Sequence, residues 1–168
     1  MLGDEAVLQE LARLRATGVR IGLTVSGTSQ RETVERALEL GRFDTVQATW
    51  VLHERSVEPA LAAAAAAGLT VYVKEALANG RLVGREAPKE LADLAAERRT
   101  TPEALALAVV LAWPRAGVVL SGAATVDTLH SNLAATEVIA TEDVDERLAG
   151  LRENREAYWR RRSELPLN

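Results

Sequence analysis

A chain of 168 residues with a formal net charge of −4 is long enough to bury a sizeable core as one domain, residues 1–168. That charge offers no electrostatic footprint for nucleic acid or an anionic membrane. The absence of cysteine excludes disulfides, thiolate metal sites and cysteine nucleophiles. The longest apolar run, Ala60 to Ala67, is far too short to span a bilayer. The acidic stretch Met1 to Glu10 does not read as a signal peptide, so the expectation is a soluble, cytoplasmic α/β protein.

In chain order, Val7, Leu8, Leu11 and Leu14 fall at helical spacing over Asp4 to Ala16, with Asp4 as N-cap and Gly18 past the end. Val19 to Val25 reads as a strand. Gly27 turns the chain, and Ser29-Gln30-Arg31-Glu32 forms a capping box opening a helix to Leu40. Thr45 to Thr49 is the second strand. A polar loop through His53 and Arg55 leads to a Ser56-capped, alanine-rich helix ending at Gly68, and Leu69 to Val73 is the third strand. A loop from Glu75 to Arg85 precedes helices over Lys89 to Arg98 and Pro102 to Trp113, the second with Thr101 as cap and Pro102 at its first position. Val118 to Leu120 is the fourth strand. A helix follows from Thr125, and a long charged helix is expected over about 142–162.

The first three strands begin at Val19, near Asp44 and at Leu69, about 25 residues apart. That rhythm predicts a parallel sheet covered by helices. It fits an open doubly wound sheet or part of a (β/α) barrel, and periodicity alone favours the open, flavodoxin-like sheet, since a full barrel needs eight strands and about 250 residues. A flavodoxin-like response domain lacks support, because no acidic cluster ends the first strand.

The run Gly117 to Asn132 joins a valine-rich strand through Ser121-Gly122-Ala123 to the Thr125-capped helix. Backbone N–H groups and a helix dipole converge at such a turn and favour an anion, although a glycine there often serves packing alone.

The segments Arg20 to Gly27, Phe43 to Trp50, Val73 to Leu82 and Leu120 to Asn132 resemble, in order and spacing, the second half of an aldo-keto reductase, most like the bacterial aldose-dehydrogenase-type members. The resemblance runs from Gly3 to about Thr136 and implies a four-stranded parallel half of a TIM (β/α)8 barrel in place of the open sheet. It further implies a nicotinamide cofactor, NADP or NAD. The family's glycine-x-serine-asparagine falls on Gly22, Thr24 and Val25, so Thr24 keeps one carboxamide hydrogen bond and Val25 cannot supply the other. Gln47 matches a second carboxamide partner. Lys74 sits where many members place a ring-stacking tyrosine. Leu77, Ala78 and Gly80 match the loop along the pyrophosphate, Gly122, Ala123 and Thr125 the adenosine-phosphate turn, and Asn132 the adenine-reading asparagine. Thr128 and Gly122 fall where members selecting a 2′-phosphate carry arginine and lysine.

Each residue also has a plain structural use. Gln47 satisfies backbone groups at a strand end, Lys74 is a solvated cap, and Asn132 is a surface helix residue. His53 and His130 lack partners at metal spacing and read as loop or surface residues. Trp50 and Trp113 read as packing.

The family's catalytic aspartate, tyrosine, lysine and histidine belong to the first half of the barrel, and none maps onto this chain. Tyr72 and Lys74 lie within a strand where no member places its acid, so no catalytic residue is assigned. The expected function is the cofactor-binding half of an oxidoreductase transferring hydride to or from a carbonyl carbon. The alternative is a non-catalytic module that self-associates and at most binds a dinucleotide. A half-barrel is expected to expose Leu23, Val25, Val46, Val71, Val73 and Val119 on an uncovered inner face. Each large aliphatic residue so exposed forgoes about 1.5–3 kcal/mol. Closure is therefore expected through a homodimer or an N-terminal-half polypeptide, the alternative being a rearranged open sheet with helices on both faces.

Overall fold

A computed structural model describes residues 2–165; the ends of the expected 1–168 domain, residues 1 and 166–168, lie outside the described residues. Helix α1 (Glu5–Ala16) starts at Asp4, whose carboxylate accepts from the Ala6 and Val7 N–H groups. Strand β1 (Gly22–Thr24), helix α2 (Gln30–Leu40), strand β2 (Thr45–Thr49), helix α3 (Glu58–Ala66) and strand β3 (Thr70–Lys74) then alternate. Helices α4 (Lys89–Glu97) and α5 (Pro102–Ala112) lead to strand β4 (Val118–Val119) and helix α6 (Val126–Leu133). The chain ends in α7 (Glu142–Arg147) and α8 (Arg155–Glu164).

The strands pair in the order β1-β2-β3-β4, all parallel. A sequential order with right-handed crossovers puts every connecting helix on one face. A doubly wound sheet would need a reversal of that order, so the four strands have the topology of consecutive barrel strands. Among the described residues, the outer edges of β1 and β4 have no strand partner.

Successive side chains of a strand alternate between faces. Leu23, Val25, Val46, Ala48, Val71 and Val73 go to the helix-covered side and are buried with Leu8, Val34, Leu61 and Val110. The open face carries Gly22, Thr24, Thr45, Gln47, Thr70, Tyr72 and Lys74, all half-buried or exposed. The expected wet inner face of Leu23 and the strand valines is thus corrected. The aliphatic residues of the strands sit under helices, and apolar surface gathers instead on the β4 side, where Val118 and Leu120, each 37% exposed, flank Val119, which shares a groove with exposed Leu111, Leu129 and Leu133.

Four local expectations also change. Residues 19–21 lie outside the first strand, and Val19 is exposed. Ser29 precedes α2 but its side chain makes no cap bond, so the capping box does not form. Val57 occupies the N-cap of α3 while the Ser56 hydroxyl and N–H donate to Glu54. The single helix over 142–162 is broken. Its chain turns at 149–151, where Gly150 weakens a helix, and Asn154 caps α8 by accepting from Glu156 and Ala157. The Glu153 N–H donates to the His53 carbonyl at 2.8 Å, which holds the break in place.

Candidate functional site

Because all strands are parallel, their C-terminal ends form one rim, where a barrel places its chemistry. Lys74 ends β3, and its Nζ crosses the sheet to donate to Ser26 Oγ at 2.5 Å and Thr24 Oγ1 at 3.3 Å. Burial among these groups holds the Lys74 ammonium below the usual lysine range. Gln47 lies one strand away, opposite Tyr72 in the β2–β3 register.

A cleft of about 500 Å³ opens beside this rim, and Lys74, Leu77, Gly80, Gly122 and Asn132 line it together with Thr128. One wall is the loop after β3. Gly80 there has φ +92°, and the non-glycine residues Glu75, Ala78 and Asn79 also take positive φ. Such a run of left-handed backbone is held only when its surroundings over-determine it. The other wall is the turn after β4. Gly122 adopts φ +66°, and Thr125 Oγ1 accepts from the Thr128 N–H at 3.1 Å, which starts α6. Asn132 is buried rather than on the surface, and its Nδ2 donates to the Ser121 carbonyl at 3.1 Å. The helix is thereby tied back to its own entry turn.

Thus five of the ten residues that the resemblance assigns to cofactor contacts share one cleft. Thr24 joins them through the Lys74 bond, whereas Gln47, Ala78, Ala123 and Thr125 lie off its walls. The sequence reading missed Glu75 and Arg162. Glu75 Oε2 accepts from Thr49 Oγ1 at 3.2 Å, and Oε1 accepts from Arg162 Nε and Nη2 at 3.1 and 2.9 Å. Burial pushes the Glu75 carboxyl up, but the Arg162 hydrogen bond and charge outweigh it and keep the group below the usual carboxylate range. The signal for Glu75 was its place beside Lys74 at a strand end; nothing local points to Arg162.

Away from the cleft, His53 is buried, not on the surface. Its Nδ1 meets the Leu151 carbonyl at 2.8 Å, and burial lowers its proton affinity. Glu153 accepts from Arg81 and Arg161, which fixes the segment entering α8. Trp50 and Trp113 stack with centroids 4.6 Å apart, and the Arg55 guanidinium lies over Trp50, a packing role as expected. No helix among the described residues is long and apolar enough to cross a membrane.

Three solved structures illustrate what the chain is similar to. The first, described as a candidate 2,5-diketo-D-gluconic acid reductase B, shares 23% identity with a TM-score of 0.70, over 87% of this chain and 50% of that one. The holo form of aldo-keto reductase AKR11C1 from Bacillus halodurans gives 19% and 0.69, over 86% and 54%. An aldo-keto reductase from Klebsiella pneumoniae in complex with NADPH gives 21% and 0.69, over 89% and 55%. The chain therefore spans about half the length of these structures, and its sheet and helices correspond to part of their barrel. No curated protein matches the sequence. The sequence profile described as the aldo/keto reductase family matches residues 4–153, most of the chain and every strand of the sheet, so the chain belongs to the aldo/keto reductase family.

Proposed function

We propose that this chain is the cofactor-binding half of an NAD(P)-dependent aldo-keto reductase-type oxidoreductase and carries no catalytic centre of its own. One observation carries the reading: residues from β3, its loop, the turn after β4 and α6 converge on one cleft at the C-terminal rim. The donor set suits a dinucleotide. Thr24 and Gln47 would meet the carboxamide, and Lys74 would lie beside the nicotinamide. The loop at Leu77, Ala78 and Gly80 would follow the pyrophosphate, the turn at Gly122, Ala123 and Thr125 the adenosine phosphate, and Asn132 the adenine. The nicotinamide, when bound, supplies or accepts the hydride exchanged with a carbonyl carbon. The chain's own residues bind and orient it.

Among the described residues lining the cleft, Lys74 is the only lysine or arginine, and it stands at the β3 end, away from α6. A 2′-phosphate therefore meets no dedicated cation on the α6 wall, and NADH is expected to bind about as well as NADPH. The general acid has to come from outside this chain. Lys74 Nζ is engaged by Ser26 and Thr24, so it is not placed to activate Tyr72. The free β1 and β4 edges are the surfaces through which a second copy or an N-terminal-half polypeptide would complete the barrel. A non-catalytic, self-associating module is the second reading, favoured by the absence of any mapped catalytic residue.

Light scattering combined with fluorescence titration of NADPH and NADH tests both. Cofactor binding supports the oxidoreductase half. An assembly that binds neither nucleotide supports the module. A compact monomer at every concentration removes the case for self-closure.

A further inference from the structure

Glu75 presents a charge conflict to any phosphorylated ligand of the cleft. It follows Lys74 at the rim and lines both the nucleotide cleft and a second cleft beneath α8. Its φ of +56° is one that L-residues enter only under constraint, and the Thr49 hydroxyl helps hold its carboxylate. A fixed carboxylate beside a diphosphate path repels the ligand unless it is neutralised. Lys74 lends Glu75 its charge but no hydrogen bond, because its ammonium is turned to Ser26 and Thr24. Arg162 gives the larger share, through two hydrogen bonds to Glu75 Oε1 from Nε and Nη2 as well as its charge. Arg162 stands on α8, whose position is fixed by buried Tyr158, by the Arg155–Glu32 pair at 3.2 Å, and by the Glu153 contacts just before it.

We propose that Arg162 sets the cleft's affinity for a phosphorylated nucleotide by neutralising Glu75, so that the seating of α8 and the binding of nucleotide are coupled. The proposal rests on the dinucleotide reading above and adds a positioning residue outside the strand-end motifs. Coupling of this kind is reciprocal: if a seated α8 raises affinity, bound nucleotide holds α8 in place.

The test is a fluorescence titration of NADPH into the wild type, E75Q, R162Q, R162K and E75Q/R162Q. Reduced nicotinamide riboside, which lacks phosphate, serves as the second probe. R162Q is expected to weaken NADPH binding about tenfold, and both R162K and the double variant to stay within about threefold of wild type. Riboside affinity is expected to be unmoved in all variants. In the wild type, NADPH is expected to slow amide exchange along α8. Any of three results overturns the proposal: an R162Q that binds like wild type, a double variant as weak as R162Q, or an equal loss for the riboside. R162K keeps a cation opposite Glu75 and the double variant leaves no unpaired carboxylate, so they decide the matter even if R162Q folds poorly. Wild type that binds riboside and NADPH equally also overturns it, whereas wild type that binds neither defeats the dinucleotide reading itself.

Discussion

Replacing Asn132 with aspartate tests whether that residue ties the turn after β4 to α6. In the wild type, Nδ2 donates to the Ser121 carbonyl at 3.1 Å, and Asn132 is only 6% exposed. An ionised aspartate of the same shape sets an oxygen against that carbonyl, loses the bond and leaves a buried acceptor unsatisfied, at a cost of about 1–3 kcal/mol. Burial then drives the new carboxyl toward its protonated form, raising its folded-state pKa above the unfolded value of about 3.9. The sign follows. Stability is present below the unfolded pKa, where the acid donates to Ser121 as the amide does, and is lost as pH rises through the folded pKa. The pH-dependent loss at pH 7 is capped at about 4 kcal/mol, the cost of keeping the acid protonated three units above its unfolded pKa. Urea unfolding of wild type and N132D at pH 4.5 and pH 7 measures it. The expected gap is about 2–4 kcal/mol at pH 7 and below about 1 kcal/mol at pH 4.5. Equal gaps at both pH values would refute the reasoning, because a solvated residue 132 has no pH-dependent partner.

A methyl group added at Gly22 would stand 2.1 Å from Thr45 Oγ1, its register partner on β2. G22A should therefore cost about 1–3 kcal/mol, and adding T45A should recover most of it by chemical denaturation; a double variant no better than G22A refutes that contact. Burial, the largest influence on His53, lowers its folded pKa, so its contribution to stability is present above about pH 6.5 and is lost as pH falls through the folded value. H53Q keeps a donor for Leu151, and its stability is expected to fall less than wild type between pH 6.5 and 5. T125A removes the acceptor for the Thr128 N–H and should cost about 1 kcal/mol in thermal or urea unfolding; an unchanged midpoint would show that the cap carries no energy.

Much of the fold was legible where signals are local. Asp4, Thr101 and Thr125 all cap as their residue types suggest, because a short side-chain acceptor meets N–H groups two or three residues on. Ser29 did not, though the same pattern was present. The facing of the strands was also legible and was misread. Thr45-Val46-Gln47-Ala48-Thr49 and Thr70-Val71-Tyr72-Val73-Lys74 alternate with period two, which marks one apolar and one polar face. In the tail, Gly150 and Asn154 were the stop and start signals inside a charged run. In the site, the family's motif order carried the cleft residues onto one rim, since strand-end motifs are local. What escaped was long-range: Arg162 reaches Glu75 across 87 residues and His53 meets Leu151 across 98. No periodicity or spacing rule encodes such pairs.

The polar open face also changes what should close the barrel. With the strand aliphatics under helices, the apolar area that can drive association lies on the β4 side, at Leu111, Val118, Leu120, Leu129 and Leu133, and the unpaired β1 and β4 edges add to it. Closure has to enclose the groups on that face. Lys74 sits there, and Arg20 reaches over its lower end to donate to Thr70 Oγ1 at 2.9 Å. A two-fold copy would bring a second Lys74 and a second Arg20 into one lumen, setting like charges together where water is scarce. A complementary half bearing carboxylates would meet those cations instead. Self-association is therefore expected to be weak at low salt and to strengthen as salt screens the lumen charges, a trend light scattering reads directly. An assembly already tight at low salt and loosened by added salt would show that opposite charges, not like ones, meet across the interface, and the case against the symmetric barrel would fall.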